Sequence, residues 1–140
     1  MIGIVIVTQS GIAEHLIQAA ETVLGHQGNV IGIDLGQELD LENLAHAFSA
    51  AVAEKLTEHP EGILILTDLF GSTTTNVCLR QIGGLGESVE VLAGVNLPMV
   101  ISAVANRGKL GLKDLAAKVM SDGQKGVKDA KPQALRAEAK

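Results

Sequence analysis

Tryptophan and tyrosine are absent, and Phe48 and Phe70 are the only aromatic residues in 140. Whatever core the chain builds must be aliphatic. The same shortage removes the aromatics that stack bases on a basic surface, and the net charge of −5 argues further against a nucleic-acid partner. A single cysteine, Cys78, excludes a disulfide framework and a cysteine-based metal site. The four histidines, His15, His26, His46 and His59, include no pair at metal-ligand spacing, so neither a metal nor a cofactor is expected. No apolar run approaches the length of a membrane span. Met1 to Val7 is apolar but gives way at once to Thr8, Gln9 and Ser10, without the basic start and apolar length of a signal peptide. A cytoplasmic protein with no membrane insertion is the expectation.

What is present is a globular composition, 46% hydrophobic and 19% charged, of the size of one domain. The domain is expected over residues 1–130, with the Ala-, Lys- and Glu-rich residues 131–140 as a flexible tail. Charge is unevenly spread: nine of the 11 basic residues but only four of the 16 acidic ones lie from Arg107 onward. A solvated C-terminal helix and tail accounts for this, as would a basic arm docking on another copy of the chain.

Ile2 to Val7, Val30 to Ile33, Ile63 to Leu66 and Val89 to Leu92 are short, β-branched apolar runs, the signature of parallel strands covered on both faces. Helical patterns separate them. Ile12, Leu16, Ala19, Ala20 and Val23 recur at helical spacing before a terminating Gly25. Asp40 is placed to cap a second helix with a stripe of Leu41, Leu44, Ala45, Phe48, Val52 and Leu56. Further helices begin near Ser72 and near Pro98, and another carries Leu112, Leu115, Ala116 and Val119. The alternation predicts an α/β fold: a doubly wound, mostly parallel four-stranded sheet with helices on both faces. Gly126 to Asp129 is a short candidate strand, too polar for the sheet centre, suited to an edge or to pairing with a neighbouring subunit.

In such a sheet ligands sit outside the C-terminal strand ends, near the point where strand order reverses. That selects three loops: Thr8 to Gly11, Thr67 to Asn76, and Ala93 to Pro98. The second is the most unusual. Gly71 precedes four hydroxyl residues, Ser72, Thr73, Thr74 and Thr75, at a helix start, which offers free amides, hydroxyl donors and the positive end of a helix dipole to an anion. Asp68 leaves a buried strand at the same edge, either to brace the loop or to orient a catalytic partner.

Thr8-Gln9-Ser10, Thr67-Asp68-Leu69-Phe70-Gly71 and Ala93-Gly94-Val95-Asn96-Leu97-Pro98-Met99, in this order, resemble the mannose-family IIA components of the bacterial sugar phosphotransferase system. The resemblance implies a phosphocarrier that takes a phosphoryl group from HPr on one histidine and passes it to a IIB partner. It also implies a homodimer with an exchanged C-terminal strand, for which Gly126 to Asp129 would serve. Asp68 falls where the family's aspartate orients the histidine, and Thr73 where a hydroxyl opens the following helix. Thr8, Ser10, Gly71, Ser72, Thr73, Thr74, Asn96 and Pro98 are the expected phosphate- or partner-binding residues.

Three positions depart from the pattern: Gln9 stands for the histidine, Ser72 for the second glycine of a pair, and Thr74 for a proline. An amide has no basic nitrogen with which to attack phosphorus. His15, roughly 9 Å farther along a helix, is a surface residue on this reading and no substitute. The chain is then either a natural regulatory homologue or an active-site variant that cannot be phosphorylated. The alternative is a module that binds a small phosphorylated ligand at Ser72 to Thr75. A phosphotransfer family serving dihydroxyacetone kinase fits less well after the third and fourth strands. Receiver domains place an acidic cluster after the first strand that is missing here.

Overall fold

The computed structural model describes residues 1–9, 11–34, 40–132 and 135. Four strands, β1 (Gly3–Thr8), β2 (Val30–Asp34), β3 (Ile63–Thr67) and β4 (Val89–Ala93), form one sheet in the order β2-β1-β3-β4, with every pair parallel. Between and after them run α1 (Ile12–Leu24), α2 (Leu41–Glu58), α3 (Thr73–Gln81), α4 (Leu97–Asn106) and α5 (Leu112–Lys125). The expected α/β architecture is the one observed.

Alternation along the central strands divides the core in two. Ile4, Ile6, Leu64 and Leu66 pack with Ala13, Ile17 and Ala20 of α1, Val100 and Ala103 of α4, and Leu115 and Val119 of α5. Val5, Val7, Ile63 and Ile65 point the other way, to Phe48 and Val52 of α2 and Cys78 of α3. With both faces covered, β1 and β3 are buried along their entire length. This is why they read as unbroken apolar runs.

Local signals place the helices. The Asp40 carboxylate accepts the Glu42 and Asn43 amides and starts α2, Gly25 closes α1, and Pro98 lies in the first turn of α4. The last two helices are joined by polar bonds. Ser102 donates to Asp122 at 2.6 Å and Lys118 meets the same carboxylate at 3.1 Å. The Ser102 hydroxyl first, and Lys118 second, hold that carboxyl below the usual range.

Two expectations, the stripes of α1 and α2, are corrected. The buried stripe of α1 is Ala13, Ile17 and Ala20 with Leu16 and Leu24 beside it, while Ile12 is 45% and Val23 62% exposed. The cause lies in β2: a Cβ on Gly32 would stand 3.2 Å from both the Ala13 Cβ and the Ile17 Cδ1. A missing side chain thus selects the face that α1 lays down. Leu41, at the first position of α2, is 48% exposed rather than part of its stripe. Gly126 is a turn at the end of α5, and residues 127–129 pair with no strand of the same chain among the described residues. Of the expected tail, residues 133, 134 and 136–140 lie outside the described residues.

One backbone position is singularly constrained. Gly62 enters β3 at φ 124°, and a Cβ there would stand 2.8 Å from the Leu112 Cδ2 and 3.1 Å from the Ser88 carbonyl oxygen. Gly62→Ala is expected to lose about 2 kcal/mol in urea unfolding. Gly28→Ala, where nothing lies within 4 Å, should change stability by less than about 0.5 kcal/mol.

Candidate functional site

Because β1 has β2 on one side and β3 on the other, strand order reverses between β1 and β3. The register pairs Val7 with Thr67. The residues that follow these strands therefore emerge side by side, which sets Gln9 next to Asp68 although 59 positions separate them.

Asp68 is the hub of the pair. Its Oδ2 accepts the Gln9 backbone N–H at 3.2 Å. Its Oδ1 accepts the Leu69 N–H at 2.8 Å and the Ser72 hydroxyl at 3.0 Å. Ser72 in turn caps α3, its Oγ accepting the Thr75 N–H at 3.1 Å. The buried Thr75 hydroxyl reaches the Leu69 carbonyl at 2.8 Å and stands 2.9 Å from the Thr67 hydroxyl. A chain of polar contacts thus runs from the first loop through Asp68 into the first turn of α3. Gly71 makes the turn possible at φ 86°.

The remaining expected site residues divide. Thr8 is fully buried, and its Oγ1 accepts the Ala13 N–H at 2.7 Å, a cap that Gly11 has no side chain to supply. Gln9 is exposed, and its carbonyl accepts the Ile12 N–H at 3.4 Å. Ser10 lies outside the described residues. Thr73 is exposed. Thr74 is fully buried, and its Oγ1 has no partner among the described residues. Asn96 and Pro98 are not part of the Gln9–Asp68 network. Asn96 caps α4 through the Met99 N–H and donates to the Gly123 carbonyl of α5 at 3.2 Å. A Cβ on Gly126 would meet the Pro98 ring at 2.6 Å. These two residues hold the end of α5 against the start of α4.

The histidines lie elsewhere. His15, His26 and His46 are exposed on the surface, and His59 is buried, its Nδ1 3.0 Å from the Met1 carbonyl oxygen. Among the described residues no three His, Cys, Asp or Glu side chains are grouped to hold a metal ion. Cys78 lies behind the site. Burial first, and the Asp68 charge second, push its thiol up to about 12.

One feature escaped sequence reasoning. Beside β4, the outer strand of the sheet, runs a groove of about 590 Å³, lined by Phe70, Leu92, Gly94, Met120, Gln124 and Val127 among others. Phe70 is 80% exposed, Leu69 66% and Val127 85%. The one available signal was Phe70 itself, an aromatic residue on a polar loop of a chain nearly devoid of aromatics.

The family model described as the PTS system fructose IIA component, EIIA-man, matches residues 3–120. The chain belongs to the EIIA-man family. It is 35% identical over 131 residues to the PTS system mannose-specific EIIAB component of Escherichia coli strain K12. That match takes in 93% of this chain but only 40% of the relative, so the chain spans well under half of that relative's length. Against the fructose-specific EIIA component of Bacillus subtilis strain 168 it is 27% identical over 115 residues, covering 82% of this chain and 77% of the relative. The crystal structure of phosphotransferase system component EIIA from Streptococcus agalactiae shares 29% identity and superposes with a TM-score of 0.78, covering 92% of this chain and 97% of that one. This EIIA-man chain is a IIA-type component of a sugar phosphotransferase system. No helix among its described residues is long and apolar enough to cross a membrane.

A thiol with so high a pKa inside the α3 packing is inert. Iodoacetamide at neutral pH should leave the folded protein unmodified and add one carbamidomethyl group after unfolding, as read by intact mass.

Proposed function

We propose that this chain keeps the IIA scaffold and its partner-facing edge but does not carry the phosphoryl group at the position where a IIA phosphocarrier would. It acts as a regulatory homologue that engages HPr or a IIB component without relaying phosphate between them. The observation that supports this is the pairing of Gln9 with Asp68 through the backbone. Gln9 offers an amide, which has no basic nitrogen, and the Asp68 carboxylate is spent on the Gln9 and Leu69 amides and the Ser72 hydroxyl. His15, two helical residues past the buried Ala13, is exposed on the solvent side of α1.

The loops on either side suit a protein partner. Leu69 and Phe70 project beside Asp68 as an exposed apolar tip on a loop braced by the Asp68, Ser72 and Thr75 bonds, so little ordering remains to be done on binding. The competing reading, a small phosphorylated ligand held by Ser72 to Thr75, has less room, because Thr74 and Thr75 are fully buried.

A homodimer belongs to the same proposal. Among the described residues the outer edge of β4 has no strand beside it, the adjoining groove is apolar, and the segment after Gly126 leaves α5 exposed. A second copy can lay its residues 126–129 along that edge and cover Met120 and Val127.

Incubation with phosphoenolpyruvate, enzyme I and HPr is expected to leave the intact mass unchanged, whereas Gln9→His gains one phosphoryl group. A stable mass gain on the unaltered chain that survives removal of His15 would sink the proposal. For the dimer, light scattering should give twice the chain mass of 14.5 kDa, and Val127→Asp should shift it toward the monomer. A monomer at micromolar concentration with Val127 in place is the contrary result.

A further inference from the structure

Asp68 meets one donor that the loops do not force on it. The Gln9 and Leu69 donors are backbone amides, present whatever side chains stand at those positions. The third donor is the Ser72 hydroxyl, which exists only because residue 72 is serine. A carboxylate offers about four lone-pair directions, and these three bonds fill most of them.

We propose that Ser72 is a latch on Asp68: its hydroxyl holds the carboxylate against the β3–α3 loop and withholds it from the side chain at position 9. This rests on the reading that position 9 is the acceptor position of the IIA scaffold. Ser72 is a positioning residue, acting through Asp68.

The serine proton has two acceptors in reach, Asp68 Oδ1 at 3.0 Å and Thr75 Oγ1 at 3.1 Å. The charged acceptor wins, since a hydrogen bond to an ion is roughly twice as strong as one between neutral groups. The Ser72 oxygen is meanwhile fixed by the Thr75 N–H at 3.1 Å, with the backbone in the extended region at φ −69° and ψ 161°. One side chain therefore performs two tasks, capping α3 and pinning Asp68. Neither can be relaxed by rotating the serine without losing the other.

The consequence is that restoring a basic nitrogen at position 9 does not by itself restore its orienting carboxylate. The test compares Gln9→His with Gln9→His/Ser72→Gly. Glycine is nearly as good an N-cap as serine, and Ser72→Ala in the same background guards against a change peculiar to glycine. NMR titration follows the new imidazole, and single-turnover transfer from phosphorylated HPr follows its reactivity. Releasing the latch is expected to raise the imidazole midpoint by about one pH unit, a tenfold change in proton affinity, and to speed phosphoryl acceptance severalfold. Adding Asp68→Asn should cancel both effects, which a purely structural role of Ser72 would not produce.

An unchanged midpoint in both serine variants, with well-dispersed amide spectra, overturns the latch. If the variants then still accept phosphate, the IIA reading of position 9 survives without it. If instead the midpoint rises and no variant accepts phosphate, the latch stands and that reading of position 9 fails.

Discussion

A single carboxylate joins the two loops that leave the centre of the sheet. Asp68 takes a backbone donor from the β1–α1 loop, another from its own loop and a hydroxyl from the start of α3. Parallel pairing of β1 with β3 delivers these groups to one place, and the division of apolar residues between the two faces of the sheet fixes that pairing. A one-residue slip of either strand would send its core residues to the wrong side. The contact is thus assured by aliphatic packing and completed by polar geometry. The order matters: the core sets the two loops side by side, and Asp68 joins them.

Much of this was legible from sequence, because the signals involved are local. Four β-branched runs marked the four strands, and Asp40, Gly25, Ser72 and Pro98 stand at or next to helix ends, where capping chemistry places them. The motifs after β1, β3 and β4 identified the IIA family, which the family model and the relatives bear out.

What escaped notice depends on partners distant in the chain. The stripe of α1 is rotated from its apparent hydrophobic face because Gly32, on β2, lets Ala13 and Ile17 approach closely, and nothing within the α1 sequence records this. The groove beside β4 arises where an edge strand, the Phe70 loop and the end of α5 meet, three segments with no common periodicity. Asn96 and Pro98 read as site residues because of their motif, yet their visible contacts secure α5. The bracing role of Asp68 is legible from its place at a strand end, but its reach to the Gln9 amide, 59 positions away, depends on the pairing of β1 with β3.

The fold around position 9 rests on backbone and hydroxyl bonds. The elements around position 9 are held by the Thr8 cap, the Ser72 cap and the Asp68 bonds, none of which needs an imidazole. The most direct check on this account is the pH dependence of the Gln9 and Leu69 amide resonances. If Asp68 ties both loops, the two amide protons follow one common titration curve that disappears in Asp68→Asn. A Gln9 amide that ignores pH while Leu69 responds would show that the carboxylate does not bridge the loops.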